Sequence, residues 1–280
     1  MQIIGTAEEM RVRARSLKRD GKKIVLVPTM GALHRGHEKL IQEGRQRGDV
    51  LVVSNFVNPI QFDDQKDLSA YPRTVEQDRA ICQKHGADIV FEPTAEEMYP
   101  PGFLTTVNVS FLSKKLEGEH RPGHFRGVCT VVLKLFNMTK CDVAVFGWKD
   151  AQQFIILKHM VNDLAMDVEL VGIPTVRDAD GLALSSRNVR LKEEQRTHAL
   201  ALNRALKRCH FLVRKQGITH SGELLQAVRS ALSTASVQTD YAAIVSRTTL
   251  EPIDMIEQGN TLVALAVRIG DVRLIDNTRF

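Results

Sequence analysis

Five short apolar runs, rich in β-branched residues, set the limits on this fold: Ile24-Val25-Leu26-Val27, Val50-Leu51-Val52-Val53, Ile89-Val90-Phe91, Val143-Ala144-Val145-Phe146 and Val168-Glu169-Leu170-Val171. An apolar run without polar alternation predicts a strand buried on both faces. Helical stretches alternate with these runs, at about Glu38 to Gln46, Val75 to Lys84, Val128 to Met138 and Ala151 to Asp163. Strands alternating with helices imply βαβ units, and so an α/β fold whose parallel sheet carries helices on both faces. A further helix is expected ahead of the first run. Thr6-Ala7-Glu8-Glu9 is a capping box, with Thr6 at the N-cap and Glu9 at N3, and the helix should run to about Lys18.

The rhythm changes after about Val176. Lys192 to Lys215 and Gly222 to Leu232 are helical in pattern, and Tyr241 to Val245 and Thr261 to Ile275 are strand-like. Gly270-Asp271 marks a tight turn inside the last of these. The expected organisation is therefore a larger α/β domain, residues 1–176, and a smaller C-terminal α+β domain, residues 177–280.

Composition narrows the function classes. The net charge is +5, a mild excess that suits an anionic ligand or a solvated surface and does not by itself point to nucleic acid. Cys82, Cys129, Cys141 and Cys209 form no C-x-x-C pair, which fits free thiols in a reducing compartment. There is no secretory-type start and no apolar stretch of membrane-spanning length, so a cytoplasmic protein without membrane contact is expected.

Chemistry concentrates just past the strand ends. After Val27 the chain runs Pro28-Thr29-Met30-Gly31-Ala32-Leu33-His34-Arg35-Gly36-His37. A helix starting at about Gly36 or His37 would turn its free N–H groups and positive dipole end toward this loop, making an anion site. His34 and His37, three apart, would lie together in its first turn and donate to a phosphate oxygen. Two incidental histidines at a helix start are the plain alternative, and the H-E-x-x-H spacing of a zinc helix is absent. Phe146-Gly147-Trp148-Lys149-Asp150 again joins a strand end to a helix; Lys149 offers a point charge, and Asp150 a helix cap. In Asp180-Gly181-Leu182-Ala183-Leu184-Ser185-Ser186-Arg187-Asn188, two hydroxyls precede an arginine, which suits phosphate and equally a surface turn capped by serine. Asn58 and Gln61 sit in an apolar frame, Phe56-Val57-Asn58-Pro59-Ile60-Gln61-Phe62, where amides bind hydroxyl and carboxylate groups or satisfy the loop itself. Arg121-Pro122-Gly123-His124-Phe125-Arg126-Gly127 is a basic loop ahead of a helix.

Taken together, these segments resemble a known family. The His34-x-Gly36-His37 element with the later Ser185-Ser186-Arg187 loop resembles the HIGH and KMSKS motifs of the nucleotidyltransferase superfamily. The fuller strings, with Tyr71-Pro72-Arg73-Thr74, Lys149-Asp150-x-Gln152-Gln153 and Leu274-Ile275-Asp276-Asn277 in the same order, resemble the pantoate–β-alanine ligase family over essentially the whole chain. The resemblance implies a Rossmann-like first domain and a second domain closing over the site. It also implies condensation of pantoate with β-alanine through a pantoyl adenylate, releasing AMP and pyrophosphate, with ATP and Mg²⁺ required, and a homodimer. By position it implies ATP contacts at Met30, Gly31, His34, Gly36, His37, Gly147, Trp148, Lys149, Asp150, Val176, Leu184, Ser185, Ser186 and Arg187. His37, His34, Lys149 and Arg187 would be the catalytic set, Asn58, Gln61 and Gln153 the substrate set, and Asp78 would lie near Mg²⁺.

Some positions depart from the family pattern. Trp148 stands where an acidic or amide residue, most often Glu, is usual, so Trp148→Glu is expected to leave activity equal or higher. Ala151 replaces a common aromatic, Arg35 adds a charge inside the first motif, and Cys141 stands where proline is frequent. Two other readings stay open: another adenylate-forming enzyme related to aminoacyl-tRNA synthetases, and a binding protein with weakened catalysis.

Overall fold

A computed structural model describes residues 1–233 and 236–280. In chain order the elements are β1 (Gln2–Ile4), α1 (Ala7–Arg19), β2 (Ile24–Thr29), α2 (Arg35–Arg45), β3 (Val50–Asn55), α3 (Gln65–Ser69), α4 (Val75–Lys84), β4 (Ile89–Phe91), α5 (Ala95–Met98), α6 (Glu117–His120), α7 (His124–Thr139), β5 (Val143–Gly147), α8 (Ala151–Asp163), β6 (Glu169–Ile173), α9 (Glu193–Gln216), α10 (Ser221–Leu232), β7 (Gln238–Ser246), β8 (Thr261–Ile269) and β9 (Val272–Arg279). They divide into two compact units. One comprises residues 1–114, 121–148 and 152–174, the other residues 115–120, 149–151 and 175–280.

In the first unit, six parallel strands lie in the order β1-β4-β3-β2-β5-β6. The expected strands are all present, and β1 adds an edge strand in register with β4. Side chains alternate across a strand. Val25 and Val27 of β2 pack with Leu40 and Ile41 of α2 and with Cys82 of α4. Ile24 and Leu26 point the other way and are equally buried, with α7 against β2 and α1 against α7. Thr6 caps α1 as expected, its hydroxyl accepting from the Glu9 N–H at 3.2 Å. The strand order reverses between β2 and β5. In an open parallel sheet, that switch point at the carboxyl ends is where a ligand has room to bind. The Thr29–His34 loop and Gly147 both lie there.

In the second unit, β7, β8 and β9 form an antiparallel sheet covered by α9 and α10. Leu202, Leu206 and Leu224 of the helices share one core with Val263, Leu265 and Leu274 of the strands. Gly270, with φ +57°, makes the two-residue turn between β8 and β9. Residues 115–120 belong here through charge pairing. The Arg273 guanidinium holds both Glu117 oxygens, at 2.5 and 2.7 Å, and Asp240 at 2.6 Å. The Tyr241 hydroxyl donates to Glu117 at 2.9 Å, and burial beside these carboxylates pushes the phenol well above its ordinary pKa.

Candidate active site

The first motif folds into a tightly held turn. Gly31 and Ala32 both take positive φ, +77° and +50°. A side chain at Gly31 would run into Asn55, whose Oδ1 lies 2.4 Å from where a Cβ would stand, so glycine is required there. Asp78, buried on α4, takes the loop's N–H groups: Oδ2 accepts from Ala32 at 3.0 Å and Oδ1 from Leu33 at 2.8 Å. Thr74 donates its hydroxyl to the same carboxylate at 3.1 Å. The Gly31 N–H goes to Thr29 Oγ1 at 3.2 Å.

The helix begins at Arg35, one to two residues earlier than expected, with His34 as its N-cap. His34 Nδ1 accepts from the Gly36 N–H at 3.1 Å, and His37 Nδ1 accepts from the His34 N–H at 3.3 Å. This corrects the expectation that free N–H groups at the helix start form the anion site. The two imidazoles take N–H groups of the helix start, and Asp78 takes those of Ala32 and Leu33 just ahead of it, because unpaired N–H groups in a partly buried turn are costly. The rings lie 4.1 Å apart. With Nδ1 accepting, the neutral imidazole carries its proton on Nε2.

The Asn58 and Gln61 amides form a buried chain beside this loop. Asn58 Nδ2 donates to Gln61 Oε1 at 2.9 Å and to the Gly127 carbonyl at 3.2 Å, while the Tyr99 hydroxyl donates to Asn58 Oδ1 at 2.7 Å. Gln61 Nε2 reaches Met30 Sδ at 3.0 Å. The Gln61 backbone carbonyl accepts from His124 Nδ1 at 2.8 Å, and Arg121 donates to His124 Nε2 at 3.3 Å. Gly127 lets α7 approach this closely: a Cβ there would stand 2.4 Å from the Ile60 carbonyl oxygen. Gln153 is half-buried in the first turn of α8 and makes no side-chain hydrogen bond among the described residues. Gln152 bonds the Leu112 carbonyl at 2.9 Å.

Trp148 ends this unit's share of the second motif. Its indole is buried against Phe154, ring centres 4.5 Å apart, and over Gly172, where a Cβ would meet Nε1 at 2.3 Å. The ring has turned into the fold, where apolar area is removed from water.

In the second unit, Lys149 pairs with Asp150 at 3.2 Å, and its backbone carbonyl accepts from Asn277 Nδ2 at 2.9 Å. Residues 176–184 form a hairpin. Leu184 N–H donates to the Val176 carbonyl at 3.0 Å, and Arg177 bridges Ala183. Arg177 holds Asp276 with both terminal nitrogens, at 2.6 and 2.8 Å. Arg196 binds Asp178 at 2.7 Å and Asp180 at 2.8 Å. Ser185 caps the turn Ser186–Arg190 by accepting from the Arg187 N–H at 3.2 Å, so the serine-capped turn and the candidate phosphate loop are one structure.

Mg²⁺ takes oxygen ligands, and the residue expected near it is Asp78. Asp78 is committed to the loop, and among the described residues no three His, Cys, Asp or Glu side chains are grouped to hold a metal ion. Asp78 therefore does not fit as a direct ligand.

Comparison with known proteins decides the family. A family model described as pantoate-beta-alanine ligase matches residues 2–279. A pantothenate synthetase of Trichlorobacter lovleyi is 50% identical over 281 residues, covering 99% of this chain and 98% of its own. One from Thermotoga neapolitana is 50% identical over 279 residues, covering 99% of both. A crystal structure of pantothenate synthetase from Thermus thermophilus superposes with TM-score 0.93 at 44% identity, over 100% of this chain and 99% of the other. That of the Francisella tularensis ligase, complexed with beta-gamma ATP and beta-alanine, gives 0.78 at 33%, over 100% and 97%. The chain belongs to the pantoate–β-alanine ligase family.

It is an enzyme that condenses pantoate with β-alanine to give pantothenate, and ATP is a substrate of the family. Within the ligase, the structure brings His34 to His37 and Met30 to Gln61 and Asn58 in one unit, and Val176 to Leu184 in the other. Sequence reasoning missed Tyr99 as the partner of Asn58, and Arg177 as the partner of Asp276. Leu274-Ile275-Asp276-Asn277 was the available signal for the second. Asp276 holds the hairpin and Asn277 holds Lys149.

Proposed function

We propose that the ligase works in two steps. The pantoate carboxylate oxygen attacks the α-phosphorus of ATP, the bond to the β-phosphate breaks, and pyrophosphate leaves. The β-alanine nitrogen then attacks the acyl carbon, the bond to AMP breaks, and the nitrogen gives up a proton. Both steps call mainly for alignment and for donors where phosphate charge develops.

In this reading His34 and His37 donate from Nε2 to the phosphates, and Met30, Gly31, Gly36 and Gly147 line the nucleotide. Lys149, Asp150, Ser185, Ser186 and Arg187 add phosphate contacts, and Val176 and Leu184 hold adenosine, each by its place in a matched motif. Trp148 takes part through its backbone, since its indole is packed away. Asn58, Gln61 and Gln153 bind pantoate, and β-alanine approaches Gln61. ATP enters with Mg²⁺ kept by phosphate oxygens and water. Residues 177–280 act as a smaller domain closing over the nucleotide, and the enzyme works as a cytoplasmic homodimer.

One observation carries the reading. Gln61 Nε2 lies 3.0 Å from Met30 Sδ, so the buried amides adjoin the nucleotide loop within one unit, where a carboxylate and an α-phosphate would meet. The test supplies ATP, Mg²⁺, pantoate and β-alanine and follows AMP. AMP release that requires both organic substrates is expected. Pyrophosphate exchange driven by an amino acid instead would replace this reading with a synthetase-like one.

A further inference from the structure

The Asn58 amide is oriented by groups that leave it no choice. The Gly127 carbonyl only accepts, so the side of Asn58 facing it at 3.2 Å is the NH₂. The opposite side is then Oδ1, which needs a donor, and the Tyr99 hydroxyl supplies it at 2.7 Å. The second Asn58 N–H meets Gln61 Oε1 at 2.9 Å, which fixes the Gln61 amide in turn. Gln61 is left with its NH₂ outward, one hydrogen directed at Met30 Sδ and the other remaining for a ligand oxygen. The Gln61 main chain is held independently by His124.

Tyr99 is itself rigidly placed. Its ring packs against Phe56 and Phe103, with centroids 6.2 and 5.1 Å away, and the Lys134 ammonium lies 5.7 Å from its centroid. Burial raises the phenol pKa, so the hydroxyl stays a donor throughout the working range.

We propose that Tyr99 is a positioning residue for the ligase reaction: through Asn58 it locks Gln61 to face the organic substrates with N–H donors, selecting carboxylate and hydroxyl oxygens. This rests on the reading of Asn58 and Gln61 as the substrate set. Without the hydroxyl, Oδ1 of Asn58 is buried and unpaired, and only the Gly127 carbonyl at 3.2 Å still resists a turn of the Asn58 amide, a turn that would bring Gln61 Oε1 to face a carboxylate and repel it.

The test compares wild type, Tyr99→Phe and Gln61→Ala in steady-state kinetics with each substrate varied. Tyr99→Phe is expected to raise the pantoate KM by roughly tenfold, the scale of one lost hydrogen bond to a buried group, with the ATP KM within about twofold. Placing p-aminophenylalanine at position 99 restores a donor there and should recover most of the loss, which a purely structural role of the ring would not predict. If Gln61→Ala impairs pantoate use while Tyr99→Phe leaves the pantoate KM unchanged, the positioning role is wrong and the site reading stands. If Gln61→Ala has no effect, the site reading itself fails. Should Tyr99→Phe melt early, failure of p-aminophenylalanine to restore the KM overturns the proposal.

Discussion

His34 and His37 cap one helix together: each offers Nδ1 to a backbone N–H of the first turn, at 3.1 and 3.3 Å, with the rings 4.1 Å apart. The same two bonds that start the helix choose the tautomer. A proton on either Nδ1 would meet an N–H head-on, so both rings are set to donate from Nε2.

His37→Ala should therefore carry two losses. In the proposed mechanism His37 is a donor to the phosphate transition state, and its removal is expected to lower kcat by on the order of 10²-fold or more. Removing half of the cap costs about 1 kcal/mol of stability. Stopped-time AMP assays and urea unfolding measure them separately, and a near-normal kcat would take His37 out of the chemistry.

Asp78→Ala should act through the loop rather than through metal. It strips two N–H groups of their acceptor and should cost about 2–4 kcal/mol. The ATP KM is expected to rise by roughly tenfold or more as the Gly31–Leu33 turn loosens. Half-saturation by Mg²⁺ at fixed ATP should stay where it is. A large shift in Mg²⁺ dependence with an unchanged ATP KM would make Asp78 a metal ligand after all.

For Trp148→Glu the structure reverses what the family pattern suggests. Position 148 is buried between Phe154 and Gly172, so Glu there leaves a void and takes a carboxylate out of water. A loss of about 3–5 kcal/mol is expected, seen as a lower denaturant midpoint. Activity equal to wild type at unchanged stability would contradict the packing described.

The thiols give a pH signature. Burial pushes Cys82, Cys129 and Cys141 up to about 12 and Cys209 to about 11, from an ordinary 9.0. All four should resist iodoacetamide in the native enzyme at pH 8 and react on unfolding. Because the folded values are raised, the stability they contribute is complete below about pH 9. It is lost as pH rises from there toward 12, since the unfolded chain releases those protons first. Rapid native labelling would show a thiol open to solvent.

What the sequence made legible follows from range. α4, α8 and β4 end where the pattern said, because apolar periodicity and its breaks are written locally. β1 was missed, since three residues carry too little pattern. Residues 115–120 join the second unit through Glu117 and Arg273, which stand 156 positions apart. Tyr99 and Asn58 are separated by 41. Such pairings exist only once the chain has folded. The first motif was read with its backbone N–H groups open, because nothing in the string shows that Asp78 returns to take those of Ala32 and Leu33.

Asp276 and Asn277 are neighbours on β9, yet one grips Arg177 and the other the carbonyl of Lys149. Successive side chains of a strand face opposite ways. The pairing of β8 with β9 is therefore also an index for chemistry: a slip of one residue in that pairing would trade the two faces and release the hairpin and the lysine together. The short turn is thus where the register of this strand is set.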